Sequence, residues 1–176
     1  MGKRVLFLSA AVMFFIAVNM HPACTVAVNG QYSDMVYSPS TVFQAEMAAG
    51  TVLDEINDGE TRMPQLEKHY RLCVRLPEGD VKTLSHRIII SSGQVILLHR
   101  IAIDGEILGY VESGAVLKER LHRYAYTHMP PGAESCRLSC KLTTQPVYCH
   151  SGQKWEYEEM LNRILDASPL IYTADA

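Results

Sequence analysis

Basic residues are in short supply: 16 Lys and Arg stand against 19 Asp and Glu over 176 residues, a formal net charge of −3. A dedicated nucleic-acid binder needs a cationic excess to meet phosphates, so this balance argues against one. Charged residues make up 20% and hydrophobic ones 48%, which excludes wholesale disorder, collagen and coiled coil. The glycines build no phosphate cradle, since Ser92-Gly93 and Asp104-Gly105 lack the G-x-G-x-x-G and G-x4-G-K-[ST] spacings. No G-x-S-x-G elbow is present to expose a serine nucleophile. Without an Asn-x-Ser/Thr sequon, N-glycosylation is not expected. There is no repeat at a period of 20–50 residues and no low-complexity stretch. A chain this long suggests one domain, able to bury roughly 68–70% of its unfolded surface.

What is there begins at the front. Lys3 and Arg4 precede an apolar run from Val5 to Val18, followed by Asn19, Met20, His21 and Pro22. A basic start, an apolar core of ~7–15 residues and a polar break are the layout of a secretory signal. As a helix the run would reach about 21 Å, short of a ~30 Å hydrocarbon core. An uncleaved anchor or a buried helix is the rival reading. Cleavage is expected after Ala27, with small Thr25 at −3, or after Ala23, with His21 at −3; the first fits better and removes Cys24. After the run no apolar stretch reaches ~18 residues, so no later transmembrane segment is expected. The organisation expected is therefore a signal peptide at 1–27, a β-rich lumenal or extracellular domain at 28–150, and a C-terminal helix and tail at 151–176.

An exported chain meets an oxidising compartment, where cysteines pair by default. Cys73, Cys136, Cys140 and Cys149 are the disulfide candidates, with three possible connectivities. Cys136, Cys140 and Cys149 crowd the segment after Pro130-Pro131-Gly132, so Cys73 is expected to be stapled to one of them. A metal site is the alternative, because His122, His128 and His150 share that stretch; its spacing does not match the paired C-x2–4-C modules of structural zinc. No metal and no cofactor is expected.

Along the chain, Asn29 to Ser40 reads as a turn-rich entry segment. Thr41 to Ile56 is ambiguous in period, and Gly50 with Thr51-Val52 favours two short strands. Asn57-Asp58-Gly59 marks a turn. Tyr70, Leu72, Val74 and Leu76 alternate with Arg71, Cys73 and Arg75, the period of a half-buried strand. Ile88-Ile89-Ile90 within His86–Ser92 reads as another. Val95–Ile103 and Glu106–Val111 flank Asp104-Gly105, a strong hairpin signal. Val116–Arg123 leans to helix. From Gln153 to Asp166, Trp155, Met160, Leu161, Ile164 and Leu165 share one side, with Glu159 and Arg163 at i,i+4, an amphipathic helix stopped by Ser168-Pro169. Its apolar side is a candidate interaction surface.

No arrangement of residues announces catalysis. Cys149 and His150 are adjacent, and neighbours in a strand point to opposite faces. Lys118, Arg120, His122 and Arg123, interrupted by Glu119 and Leu121, read as a solvated helix face. Lone His99 and the pairs Asp54-Glu55 and Glu158-Glu159 read as structural or solvated.

From Phe43 to Val111 the chain resembles the lumenal domain of subunit 10 of the ER membrane protein complex. The resemblance is carried by Lys68-His69-Tyr70-Arg71-Leu72-Cys73-Val74-Arg75-Leu76-Pro77, by Ile89-Ile90-Ser91-Ser92, and by Val95–Tyr110 with its Asp104-Gly105 turn. Thr143-Thr144-Gln145-Pro146, ahead of the helix at Trp155, is similar to that family's proline-bearing linker and helix. The cysteines and the missing membrane-spanning helix depart from the family. The resemblance implies a lumenal β-sandwich, bound to other subunits and without catalytic residues. The expectation is thus a mainly β, antiparallel sandwich-like domain with a C-terminal amphipathic helix. It would act as a non-enzymatic accessory subunit in membrane-protein biogenesis, with protein subunits of the ER membrane or lumen as partners and no nucleic acid or small-molecule substrate. A secreted, disulfide-stabilised binding module is the alternative.

Overall fold

Two turns with left-handed backbone organise the chain. Asn29-Gly30 (φ 50 and 77) and Asp104-Gly105 (φ 48 and 92) each place two consecutive residues at positive φ, the requirement of a tight type I′ hairpin. In the computed structural model, which describes residues 20–173, each turn opens one of two compact units, Met1–Gln94 and Val95–Ala176. The apolar run Val5–Val18 lies outside the described residues.

In the first unit, β1 (His21–Val28) turns into the short β2 (Gln31–Tyr32). Helix α1 (Pro39–Ile56) follows, capped by the Ser38 hydroxyl, which accepts from the Thr41 N–H at 3.0 Å. Strand β3 (Leu66–Cys73) then pairs antiparallel with all of β1, from His21↔Cys73 to Val28↔Leu66. Helix α2 (Val81–Ser91) closes the unit, with Asp80 as N-cap. The Thr83 hydroxyl and N–H donate to the Asp80 carboxylate at 2.7 and 2.9 Å and hold it below the ordinary carboxylate range. Sheet order is β2-β1-β3, so β1 is central. Ala23, Cys24, Val26, Ala27 and Val28 are all buried.

The second unit repeats this plan. Eight-residue β4 (Ile96–Ile103) turns into β5 (Glu106–Val111) and pairs along its whole length with β7 (Leu142–Cys149), again first residue to last. Helix α3 (Gly114–Thr127) is capped by the Ser113 hydroxyl, as α1 is by that of Ser38. Helix α4 (Tyr157–Ala167) matches α2 in length, and its buried Met160 and Ile164 stand where α2 buries Leu84 and Ile88. The order β5-β4-β7 mirrors β2-β1-β3. This unit adds β6 (Ser135–Leu138), paired with the last strand β8 (Leu170–Thr173). Ile101, Ile103, Val111, Leu117, Met160 and Ile164 form its core.

The architecture is mixed, 37% helical and 32% strand in three small antiparallel sheets, where a mainly β chain was expected. Helices meet the sheets: α1 packs on α2 and both on β1, while α3 reaches β4 and α4 reaches β5. Two segments expected as strands are helices. In Thr41–Ile56 the buried residues Val42, Ala45, Ala49 and Leu53 form a stripe at helical spacing, and a Ser cap with Pro39 in the first turn outweighs Gly50 and the β-branched pair. Ile88 and Ile89 lie with Leu84 on the buried side of α2, so the isoleucine run reports burial and not a strand. The hairpin at Asp104-Gly105, the turn at Asn57–Gly59 and the helix α3 agree with expectation, and so does α4 except at its start, which lies at Tyr157 and leaves Trp155 ahead of the helix. The expected cleavage points after Ala23 and Ala27 both fall inside β1.

Two glycines test this packing. A Cβ at Gly79 would overlap the ring of buried Tyr37, whereas nothing lies within 4 Å of a Cβ at Gly50 in the middle of α1. Gly79→Ala should destabilise by about 1–3 kcal/mol through overpacking, and Gly50→Ala should stabilise by about 0.5–1 kcal/mol through helix propensity. Urea unfolding of the full chain checks both signs; a Gly50→Ala loss would contradict the helix.

Candidate functional site

The residues expected to recognise partners are mostly spent on the second unit's own core. Met160 and Ile164 are fully buried, Leu161 nearly so, and Leu165 is half-buried. Trp155 lies against β5, where a Cβ at Gly109 (φ 153) would come within 3.0 Å of the indole. The Trp155 backbone N–H donates to the Tyr110 carbonyl at 2.8 Å. The Arg163 guanidinium stacks over the indole at 3.8 Å and donates to the Leu108 carbonyl at 2.7 Å. Arg163 therefore fastens the helix to β5 and does not form the expected pair with Glu159. Tyr157 anchors the same helix start, its hydroxyl accepting from the Ser113 N–H at 3.0 Å. The amphipathic face is packing.

The cysteines are all free thiols in the structure, and the expected staple between Cys73 and a later cysteine is not formed. Sheet geometry explains part of this. Cys140 and Cys149 flank β7 at opposite ends, about 20 Å or more apart at strand rise, whereas a disulfide needs Cα atoms roughly 4.4–6.8 Å apart. Cys24 faces Tyr70 across the ladder, three positions from the His21↔Cys73 pair, an offset of about 10 Å. Burial pushes the Cys24 thiol above its ordinary 9.0, against the opposing pull of the Lys68 ammonium. Burial likewise raises Cys149. A raised thiol carries less thiolate at neutral pH, which disfavours Cys149 as a nucleophile beside His150. Among the described residues no group of three or more His, Cys, Asp or Glu could hold a metal ion.

Two concave surfaces stand out among the described residues. In the second unit a groove of about 480 Å³ runs beside α3 and α4, lined by Val116, Arg120, Arg123, Tyr124, His128 and Glu158 among others. Its cations are matched: Arg120 pairs with Glu158, and Arg123 with Glu119 at 2.9 Å. His128 stacks on Tyr124, ring centroids 4.1 Å apart. These exposed pairs contribute little to stability, but they leave no unmatched guanidinium for a phosphate. The solvated-face reading of this helix stands.

The first unit holds the more apolar surface. A groove of about 430 Å³ lies between the chain after β2 and the chain leaving β3, lined by Met35, Val36, Arg71, Cys73, Val74 and Leu76 with Asp34, Arg75 and Glu78. Tyr70, Leu72, Val74 and Leu76, expected to be half-buried on a strand, are 60–69% exposed. Phe43 and Met47, one turn apart on α1, are exposed as well. β3 is also an edge strand in its sheet, with one row of backbone groups open. The strand was legible in the sequence, but it starts earlier, at Leu66, and ends at Cys73, with Val74 and Leu76 beyond it; that no element of its own unit covers these residues was not legible.

No family model, curated protein or solved structure matches this chain.

Two measurements probe these assignments. Ile164→Ala should cost about 2–5 kcal/mol by urea unfolding, as for a core isoleucine; a neutral result would return α4 to the role of partner surface. Because the Cys24 and Cys149 thiols are raised in the fold, the stability they contribute is full below the unfolded value near 9.0 and is lost as pH rises through the folded values. Urea midpoints should fall as pH rises above the unfolded value of 9.0, and less steeply in Cys24→Ala and Cys149→Ala.

Proposed function

We propose that this chain is a non-enzymatic interaction protein of the secretory pathway, acting as an accessory subunit in membrane-protein biogenesis at the ER. One observation carries the reading: the exposed apolar ridge Tyr70, Leu72, Val74 and Leu76 along and beyond edge strand β3. Contiguous apolar surface of this kind marks an interaction site, and an open strand edge adds a backbone template beside it. The basic start and apolar run at Lys3–Val18 support export. The resemblance of Lys68–Pro77 and Val95–Tyr110 to subunit 10 of the ER membrane protein complex supplies the partner class, protein subunits of the ER membrane and lumen. A sandwich arrangement of the sheets belongs to that resemblance.

A secreted binding module is the second reading. It is favoured by one departure: Ile89–Ser92, which resembles a strand of that family, lies at the end of helix α2.

Affinity capture of the tagged full chain from secretory membranes separates the two. The first reading expects co-purifying membrane-complex subunits that are lost in Tyr70→Ser/Leu72→Ser. Recovery of the chain from the medium without such subunits favours the second, and capture unaffected by the ridge substitutions removes the ridge from the interface.

A further inference from the structure

The first unit cannot be trimmed where a signal would be cut. Both small-residue sites, after Ala23 and after Ala27, lie within β1, the central strand of the sheet. A cut after Ala27 would remove buried Ala23, Cys24, Val26 and Ala27 and seven of the eight rungs joining β1 to β3. It would also remove the paired backbone bonds between Cys24 and Tyr37, at 2.7 and 2.9 Å. The folded unit therefore calls for His21 to stay attached to what precedes it, and the apolar run ends at Val18, three residues upstream.

The end of the sheet from which that run departs is the apolar end. His21 is paired with Cys73, the last residue of β3, and the chain continues from there into exposed Val74, Arg75 and Leu76. Exposed Met35 lines the same groove. Arg71 and Arg75 flank it, opposed by Asp34 and Glu78, so its charges cancel and apolar contact dominates. The second unit provides an internal control. There the long partner strand β7 also ends on a cysteine, Cys149, and the chain leaving it runs His150, Ser151 and Gly152 where β3 is followed by Val74, Arg75 and Leu76. The fold itself does not require an apolar segment at that place.

We propose that the run Val5–Val18 is retained as a membrane anchor and that Met35, Val74 and Leu76, which line one groove, rest in the interface of the same lipid bilayer. A run of fourteen residues is short for a span of ~20, and a single weak anchor holds only marginally; a second apolar contact makes attachment stable. The proposal deepens the reading of an exported interaction protein, by giving its ridge a lipid surface as occupant at the anchored end. Because the rim is charge-balanced, this contact is insensitive to salt and forms on zwitterionic lipid.

Two experiments on the full chain decide it. The intact mass of the protein from its own cells should include residues 1–20; a mature chain starting at Cys24 or Val28 overturns retention, with no variant required. For docking, the only tryptophan, Trp155, is replaced by Phe, and a new one is placed at Leu76→Trp or at Met63→Trp. Met63 is an exposed residue just ahead of β3 at the opposite end of the ladder, about 20 Å or more away at strand rise. In vesicles of brominated phosphatidylcholine, the Leu76→Trp fluorescence should fall about twofold or more relative to unbrominated vesicles, at low and at high salt, and that of Met63→Trp should not. Equal quenching at both sites, or none at Leu76→Trp, overturns the docking. Either failure leaves subunit capture from secretory membranes intact as a separate outcome, so loss of the lipid contact and loss of the interaction reading are told apart.

Discussion

Everything in each unit depends on one central strand paired along its full length. β1 joins β3 by eight successive residue pairs, and β4 joins β7 by another eight. The ladders to β3 and β7 run unbroken along each central strand, and the hairpin turns at Asn29-Gly30 and Asp104-Gly105 set the register on the other side. Register in turn decides which residues face inward, since a slip of one residue would exchange the two faces of the sheet. Buried Val26 and Val28 in the first unit, and Ile101 and Ile103 in the second, occupy equivalent places just ahead of the turn. The helices then cover what the register has turned inward.

The same constraint makes the two units differ where the plan leaves freedom. In the first, α1 presents Val42, Ala45, Ala49 and Leu53 to the core, and these mostly small residues let α2 pack close against it. In the second, α3 carries Arg120, Arg123 and Tyr124 beside α4, and a polar groove remains between paired charges. The second unit tucks Trp155 onto β5 and adds the β6–β8 pair. The first keeps its apolar residues outside, on β3 and the chain beyond it. One plan thus yields two units that differ in where exposed apolar residues gather: the first sets Tyr70, Leu72, Val74 and Leu76 along one strand and the chain beyond it.

Free thiols fit this picture better than a disulfide framework does. A small domain needs staples when its core is thin, but here both sheets are backed by helices. Cys24 and Cys149 behave as small buried apolar residues, and strand geometry holds Cys140 and Cys149 at opposite ends of β7. Cys136 lies on β6, Cys140 between β6 and β7, and Cys149 at the end of β7.

Local signals in the sequence determined the turns and the C-terminal helix. Asx-Gly pairs tolerate the positive φ of a tight turn, and the apolar stripe Met160, Leu161, Ile164 and Leu165 has helical spacing on its face. The same signals failed where burial overrides period. Ile88-Ile89-Ile90 and the Gly50-Thr51-Val52 stretch look like strands because β-branched residues favour them, yet both lie on helices, chosen by the partner surface they fill. The repeated plan was also hidden from the sequence, because positions equivalent in the two units, such as Val26 and Ile101, share shape and burial but seldom identity. Tertiary structure alone decided that the amphipathic face of α4 is core while the ridge of β3 is surface. Both read as half-apolar, and only the position of neighbouring elements determines whether an apolar side chain is covered by its own chain or left to meet something else.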